Sequence, residues 1–351
     1  MNRNLGIARY LSNADTPLPC GNGAIAFTSA HVPEEADASH RFGDLVRKLK
    51  KEAGYRVMCD IDDRTPAQFG LEDEEAFLKA FDLDWLRLDD GYTQEQLLDL
   101  VRKLPVALNA STIPESQKRD LLEANPDILF VHNFYPKEDT GLDLETFQKF
   151  SAGVPAENLV VFIPGDSELR GPLFEGLPTL EEDRNEPPYV SFARFREMGI
   201  QQVLVGDPGL SDQQREWIEQ AQQGVYSIPC QLWGKQNAQL YDVPFTIRLD
   251  SPRRLRRLQE SRAYGKSGNL IFPGPDHAGM PRNRGDICQD NERFGRYSGE
   301  VTLINGELPA RDRINTIGKV DSRYLKLLDY IPSGARIMLV REAKEAQEEE
   351  Q

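Results

Sequence analysis

Polar residues of a restricted set recur where apolar runs of this sequence end. Ser29 and His31 follow GAIAFTSA, and Asp60 and Asp62 come at the end of YRVMCDI. Asp89 and Asp90 sit in WLRLDDG, and Asn109 and Ser111 in PVALNAST. His132, Asn133 and Tyr135 lie in ILFVHNFYP, Asp166 follows LVVFIPG, and Asp207 sits in QQVLVGDP. The chain shows no HExxH, no CxxC, no phosphate-cradling glycine loop and no GxSxG elbow. Carboxylates, amides, a histidine, a tyrosine and arginines without a metal or cofactor are the working set of a glycoside hydrolase. One carboxyl there acts as acid and a second as nucleophile or base. Asp89 and Glu175 are the candidate pair, with Asp60 and Asp207 as rivals. Asn109, His132, Asn133 and Tyr135 are candidates to hold sugar hydroxyls, while Phe134, Tyr135 or Trp85 offers a face for a pyranose ring.

Arg87 and Asp89 fall on one side of a strand because side chains alternate with a period of two. This pair reads either as a structural ion pair beneath the loops or as a substrate-holding carboxylate tuned by its arginine. RGPLFEGLPTLE (170–181) has too many breakers for a helix and no strand alternation. Leu173, Phe174 and Leu177 are expected to anchor it, leaving Arg170 and Glu175 to face a ligand. Arg170 and Arg184 flank the loop and suit bidentate recognition of phosphate or carboxylate, although Arg170 could instead clamp the loop's own glutamates.

Elements that would position these groups are legible as alternation. Eight β-like runs, at 5–11, 23–30, 55–61, 85–91, 105–112, 128–136, 159–165 and 201–208, are mostly followed by amphipathic helical stretches. Those stretches lie at 34–53, 94–103, 115–124, 143–152, 188–198 and 211–222. The pattern predicts an α/β fold, a TIM-type (β/α)8 barrel whose active site gathers at the carboxyl ends of the strands. Residues 12–22 contain two prolines, so the first crossover helix should be reduced or absent. An open doubly wound sheet is the alternative.

Beyond about residue 225 the runs FTIRLD, GNLIFPG, GEVTLIN, INTIGKV and ARIMLV are separated by loops, which predicts a second, β-rich domain. The expected organisation is 1–235 barrel, 236–342 β domain and 343–351 a charged tail. PRRLRRLQESR (252–262) reads as a short basic helix, and 282–300 as a bulge and turn region or a loop folded over the barrel mouth.

A net charge of −15 over 351 residues argues against a nucleic-acid or anionic-membrane binder. No apolar run is long enough to span a bilayer, and the N-terminus lacks a secretory apolar core, so a cytoplasmic protein is expected. The four cysteines are too scattered for a disulfide framework, and Cys59 reads as a small core residue.

Several blocks together resemble one family, the bacterial 6-phospho-N-acetylmuramidases. They are FTSAHVPEE, RLDDGY, ALNAST, HNFYPKEDTGL, FIPGD, RGPLFEGLPTLE, ESR, RGDICQDN, RYSGE and NTIGKV, spread over nearly the whole chain. The resemblance implies a TIM-like barrel with a smaller cyclophilin-like β-barrel after it. It also implies cytoplasmic hydrolysis of a 6-phosphorylated MurNAc–GlcNAc disaccharide in cell-wall recycling, with no cofactor. The substrate's phosphate and lactyl carboxylate would give Arg170, Arg184 and Arg87 something to bind. Its N-acetyl group could serve as internal nucleophile, in which case one acid and one orienting carboxylate suffice. The chain departs from the family pattern at Asp183, where a histidine is usual, and that change could alter phosphosugar specificity. A sugar-phosphate binding protein on the same fold is the competing reading. An aldolase-type barrel is weaker, because no run ends in a Schiff-base lysine. An oligomer is possible.

Overall fold

Parallel strands covered on both faces must be apolar nearly throughout, and eight such strands close into a barrel in sequence order. They are β1 (Gly6–Ala8), β2 (Ile25–Ser29), β3 (Arg56–Ile61), β4 (Trp85–Leu88), β5 (Val106–Asn109), β6 (Leu129–Val131), β7 (Leu159–Ile163) and β8 (Gln202–Val205). The computed structural model describes residues 5–30, 38–261, 271–274 and 278–341. His31 and the charged tail from 343 therefore lie outside the described residues.

The crossovers are α1 (Ala38–Arg47), α2 (Thr65–Gln68), α3 (Glu74–Ala80), α4 (Gln94–Lys103), α5 (Glu115–Ala124), α6 (Leu144–Ser151), α7 (Pro188–Glu197) and α8 (Asp212–Gln222). Their starts follow local chemistry. Thr93 and Gln96 form a reciprocal capping box on α4, and Asp143 accepts the amide of Thr146 at the start of α6. The first crossover carries a single 3-10 turn, Leu11–Asn13, in agreement with its prolines.

Strand parity decides what fills the barrel. Ala8, Tyr10, Ile25, Phe27, Met58, Ala107, Leu129, Val131, Val160, Phe162 and Leu204 form one buried interior cluster, with Trp85 and Phe134 packed against it. Cys59 is buried on the opposite parity, as expected of a small apolar residue.

The chain divides into two compact units at Arg215/Glu216, inside α8. The second unit is a seven-stranded sheet in the order β10-β15-β9-β14-β12-β13-β11, curled into a half-barrel. Its strands are β9 (Val225–Leu232), β10 (Pro244–Thr246), β11 (Leu255–Arg257), β12 (Asp286–Asp290), β13 (Val301–Ile304), β14 (Ile314–Val320) and β15 (Arg336–Arg341). β9 lies between β14 and β15, so it belongs with this sheet although it precedes residue 235. The basic helix expected at 252–262 is not formed over its described part. Leu255–Arg257 pairs with β13, and Gln259–Ser261 is a 3-10 turn. Ladder pairing overrides a weak helical preference there. The segment 282–300 supplies β12, whose pairing with β14 shifts register between Ile287 and Cys288, a bulge.

Candidate active site

One row of inward positions lies above the apolar plug. Ser29 pairs laterally with Asp60, Asp60 with Arg87, and Arg87 with Ala107. Asp60 and Arg87 are therefore neighbours by register, and a cleft of about 360 Å³ opens over them. Tyr10, Phe27 and Phe134 form its apolar side; Ser29, Asp60, Arg87, Asp89 and Asn133 its polar side; and Arg170, Gly171 and Pro172 its rim.

Arg87 organises the floor. Its Nη1 lies 2.6 Å from an Asp60 oxygen and 2.7 Å from an Asp89 oxygen, and its Nη2 donates to Asn133 Oδ1 at 2.8 Å. The two carboxylate oxygens are therefore at most about 5.3 Å apart, the sum of those two distances. Burial of Arg87 disfavours its charge, but the facing Asp60 and Asp89 carboxylates outweigh that and raise its pKa. Asn133 sits beyond β6, two strands from Arg87, and the guanidinium reaches it past Ala107, which is fully buried and small. Of the two acids, Asp60 is the deeper, with a side chain 14% exposed against 35% for Asp89.

Arg170 behaves differently. Its guanidinium stacks over the Tyr10 ring at 3.6 Å from the centroid, with Phe134 at 5.9 Å. Its side chain makes no ion pair among the described residues. A cation held in place by an aromatic face, without a carboxylate partner, is a ready anion receptor at the rim of the cleft.

Of the residues singled out from the sequence, Ser29, Asp60, Arg87, Asp89, Asn133, Phe134, Arg170 and Leu177 line this cleft, while His132, Asp207, Arg184, Glu175, Asn109, Tyr135 and Trp85 do not. His132 is fully buried and points away from the cleft, because parity alternates and Asn133 takes the inward position. Its Nε2 lies 2.9 Å from Ser151 Oγ and its ring packs on Phe147, both of α6. Burial pushes its pKa down to about 3. Asp207 is buried and accepts the backbone amides of Gly165, Arg170 and Leu177 at 2.9, 3.0 and 2.9 Å. It ties down the base of the rim loop. Arg184 spends its donors on Glu181 and on the carbonyls of Tyr135, Lys137, Glu175 and Gly176, tying the loop from beneath, and it does not line the cleft. Glu181, held by Arg184 and by the amides of Gly141 and Asp139, has its pKa lowered to about 2.

Glu175 is exposed and does not line the cleft. Asn109 turns back to accept the amide of Ser111 at 2.9 Å, and neither Tyr135 nor Trp85 lines the cleft. Asp183 is buried with its carboxylate 3.2 Å from Arg194 of α7, so the departure from the family pattern falls in the packing beneath α7 and not in the cleft. Leu177 does anchor the loop, but Leu173 and Phe174 are exposed. Tyr10 and Phe27 are cleft residues that inspection of strand ends missed. The parity of GIARY, which puts Ala8 and Tyr10 on one side, carries that signal for Tyr10.

Comparison with known proteins agrees along both units. The family model for the N-terminal part of 6-phospho-N-acetylmuramidase matches residues 20–220, and that for its C-terminal part matches residues 231–340. None of the curated proteins matches the chain. A crystal structure of a conserved Enterococcus faecalis protein of unknown function superposes with a TM-score of 0.79 at 26% identity, covering 97% of each chain. An uncharacterized B. cereus protein superposes with a TM-score of 0.75 at 24% identity, over 97% of this chain and 100% of its own.

Proposed function

This chain belongs to the 6-phospho-N-acetylmuramidase family, and as a glycosidase of that family we propose that it hydrolyses a MurNAc-6-phosphate–GlcNAc disaccharide in the cytoplasm during cell-wall recycling. One observation carries the assignment of the site: two carboxylates share one buried guanidinium beneath a rim arginine that makes no ion pair among the described residues.

The chemistry follows from that arrangement. Two anions on one cation leave a net negative floor, and a phosphorylated substrate entering the cleft adds more negative charge. Asp89, the nearer to the mouth of the cleft, is placed to protonate the glycosidic oxygen. Asp60, held deeper against Arg87, is placed to stabilise the positive charge that develops at the anomeric carbon. A carboxyl separation below the roughly 6.5–9.5 Å of inverting enzymes leaves no room for a water between them and favours retention. The substrate's own N-acetyl oxygen can then attack the anomeric carbon from the opposite face, with Asp60 orienting it.

Arg170 receives the 6-phosphate, and Asn133 and Ser29 bind ring substituents. Tyr10, Phe27 and Phe134 exclude water and meet the apolar ring face. The test is incubation of the purified protein with MurNAc-6-phosphate–GlcNAc while free GlcNAc is followed. Release by the wild type and its loss in Asp89→Asn are expected. Absence of release from the wild type overturns the substrate, and undiminished release by Asp89→Asn overturns the site.

A further inference from the structure

The rim loop carries a feature that the proposed reaction does not use. Its base is fixed by Asp207 and Arg184, and Leu177 is buried in it, yet Leu173 is 48% exposed and Phe174 61% exposed. Two adjacent apolar side chains standing exposed at the rim of a cleft are placed to contact a ligand that extends past it. Phe174 is also held at a φ of +59°, where a bulky side chain is unfavourable. Such strain persists where the surroundings enforce it, and it concentrates at ligand sites.

Its ring has a definite place. A Cβ on Gly171 would come within 2.9 Å of the Phe174 ring, so the ring lies against Gly171, itself part of the cleft rim. Glycine at 171 is what lets the ring lie there. At about 360 Å³ the cleft lies at the low end of pockets for small ligands, so a disaccharide that places one ring in it brings the other against the rim.

We infer that Phe174, supported by Leu173 and Gly171, is the platform on which the leaving-group sugar stacks, and that it selects a pyranose as the leaving group. A flat aromatic face presented to solvent suits the apolar face of a pyranose ring. Stacking there sets the glycosidic oxygen at the mouth of the cleft. The inference rests on the disaccharide reading of the site.

The experiment compares kcat/KM for MurNAc-6-phosphate–GlcNAc with that for the methyl glycoside of MurNAc-6-phosphate, which lacks the second ring. The readout is the ratio of the two, which a general loss of folded protein does not move. In Phe174→Ala the ratio should fall by at least about tenfold, the lower end of what a lost apolar contact costs in a transition state. Gly171→Ala, which leaves the ring in place chemically but pushes it away, should lower the ratio in the same direction. Phe174→Gly accepts the positive φ without strain, so it should melt no earlier than the wild type while showing the same reduced ratio. Unchanged ratios in Phe174→Ala and Phe174→Gly, with an active wild type, overturn the platform and leave the proposed reaction standing. A wild type that cleaves neither compound overturns both.

Discussion

Asp60 and Arg87 are paired in register across β3 and β4, and Arg87 Nη1 meets Asp60 Oδ1 at 2.6 Å while also meeting Asp89 at 2.7 Å. A single cation thus holds two acids that would otherwise repel, and this sharing makes the site's behaviour depend on each of the three groups separately.

Replacing Asp89 by Asn removes the proposed acid and should lower kcat by about 10²- to 10⁴-fold, the usual worth of a positioned proton donor. Asp60→Asn should lower kcat comparably without abolishing binding. Steady-state kinetics with the phosphorylated disaccharide, alongside a binding measurement, separates the two effects.

Arg87→Met leaves Asp60 and Asp89 close together without their cation. Both the lost attraction and the like-charge repulsion raise a carboxyl pKa, so the acidic limb of the pH–rate profile should move to higher pH. Arg87→Lys retains charge but not the planar fork that reaches Asp60, Asp89 and Asn133 together. It should recover only part of the activity. An unmoved acidic limb in Arg87→Met would contradict the shared-cation arrangement.

Arg170→Met should raise KM for the 6-phosphorylated disaccharide by about tenfold or more, since a charge-assisted contact to an anion is worth roughly 1.5–3 kcal/mol. The same substitution should change the kinetics of the unphosphorylated disaccharide far less. Equal losses on both compounds would place the phosphate elsewhere.

Asp207→Asn should act on stability more than on chemistry. The carboxylate accepts three loop amides, and an amide side chain presents a donor where one of them needs an acceptor. A destabilisation of about 1–3 kcal/mol is expected, with faster hydrogen exchange at Gly165, Arg170 and Leu177. Its loss of kcat should be smaller than that of Asp89→Asn.

His132 contributes a pH dependence of stability. Its folded pKa is lowered by burial to about 3, against an unfolded value near 6.5. The neutral form is therefore favoured in the native state, and the unfolded chain binds the extra proton. Stability from this group is complete above pH ~6.5 and is lost as pH falls towards 3, by up to a few kcal/mol. His132→Gln should flatten that decline in urea titrations run between pH 4 and 7.

How much was legible follows from what each signal measures. Alternation of apolar runs and amphipathic stretches reports local periodicity, so the eight strands lie within the runs read from the sequence, and the crossovers Gln94–Lys103 and Glu115–Ala124 agree to the residue. The β domain was harder. β11 and β12 are short, polar runs stabilised by ladder partners distant in sequence, and no local pattern announces them. Among the candidate site residues, Asp60, Arg87, Asp89 and Asn133 from the strand ends and Arg170 from the loop at 170–181 line one cleft. His132 was separable from Asn133 by parity alone, since adjacent strand residues face opposite sides.

By itself the sequence determined the barrel class, the reduced first crossover, the family and the chemical type of the cleft, because these depend on residue type and period. Only the tertiary structure decided which acids meet one arginine and what each loop arginine touches. Strand register brings Asp60 beside Arg87, residues 27 positions apart. The carbonyls and carboxylate that consume Arg184 come from three separate stretches of chain, while Arg170 meets an aromatic face. Two arginines flanking one loop are alike in sequence; what each touches once the loop folds makes one a clamp and leaves the other at the cleft rim.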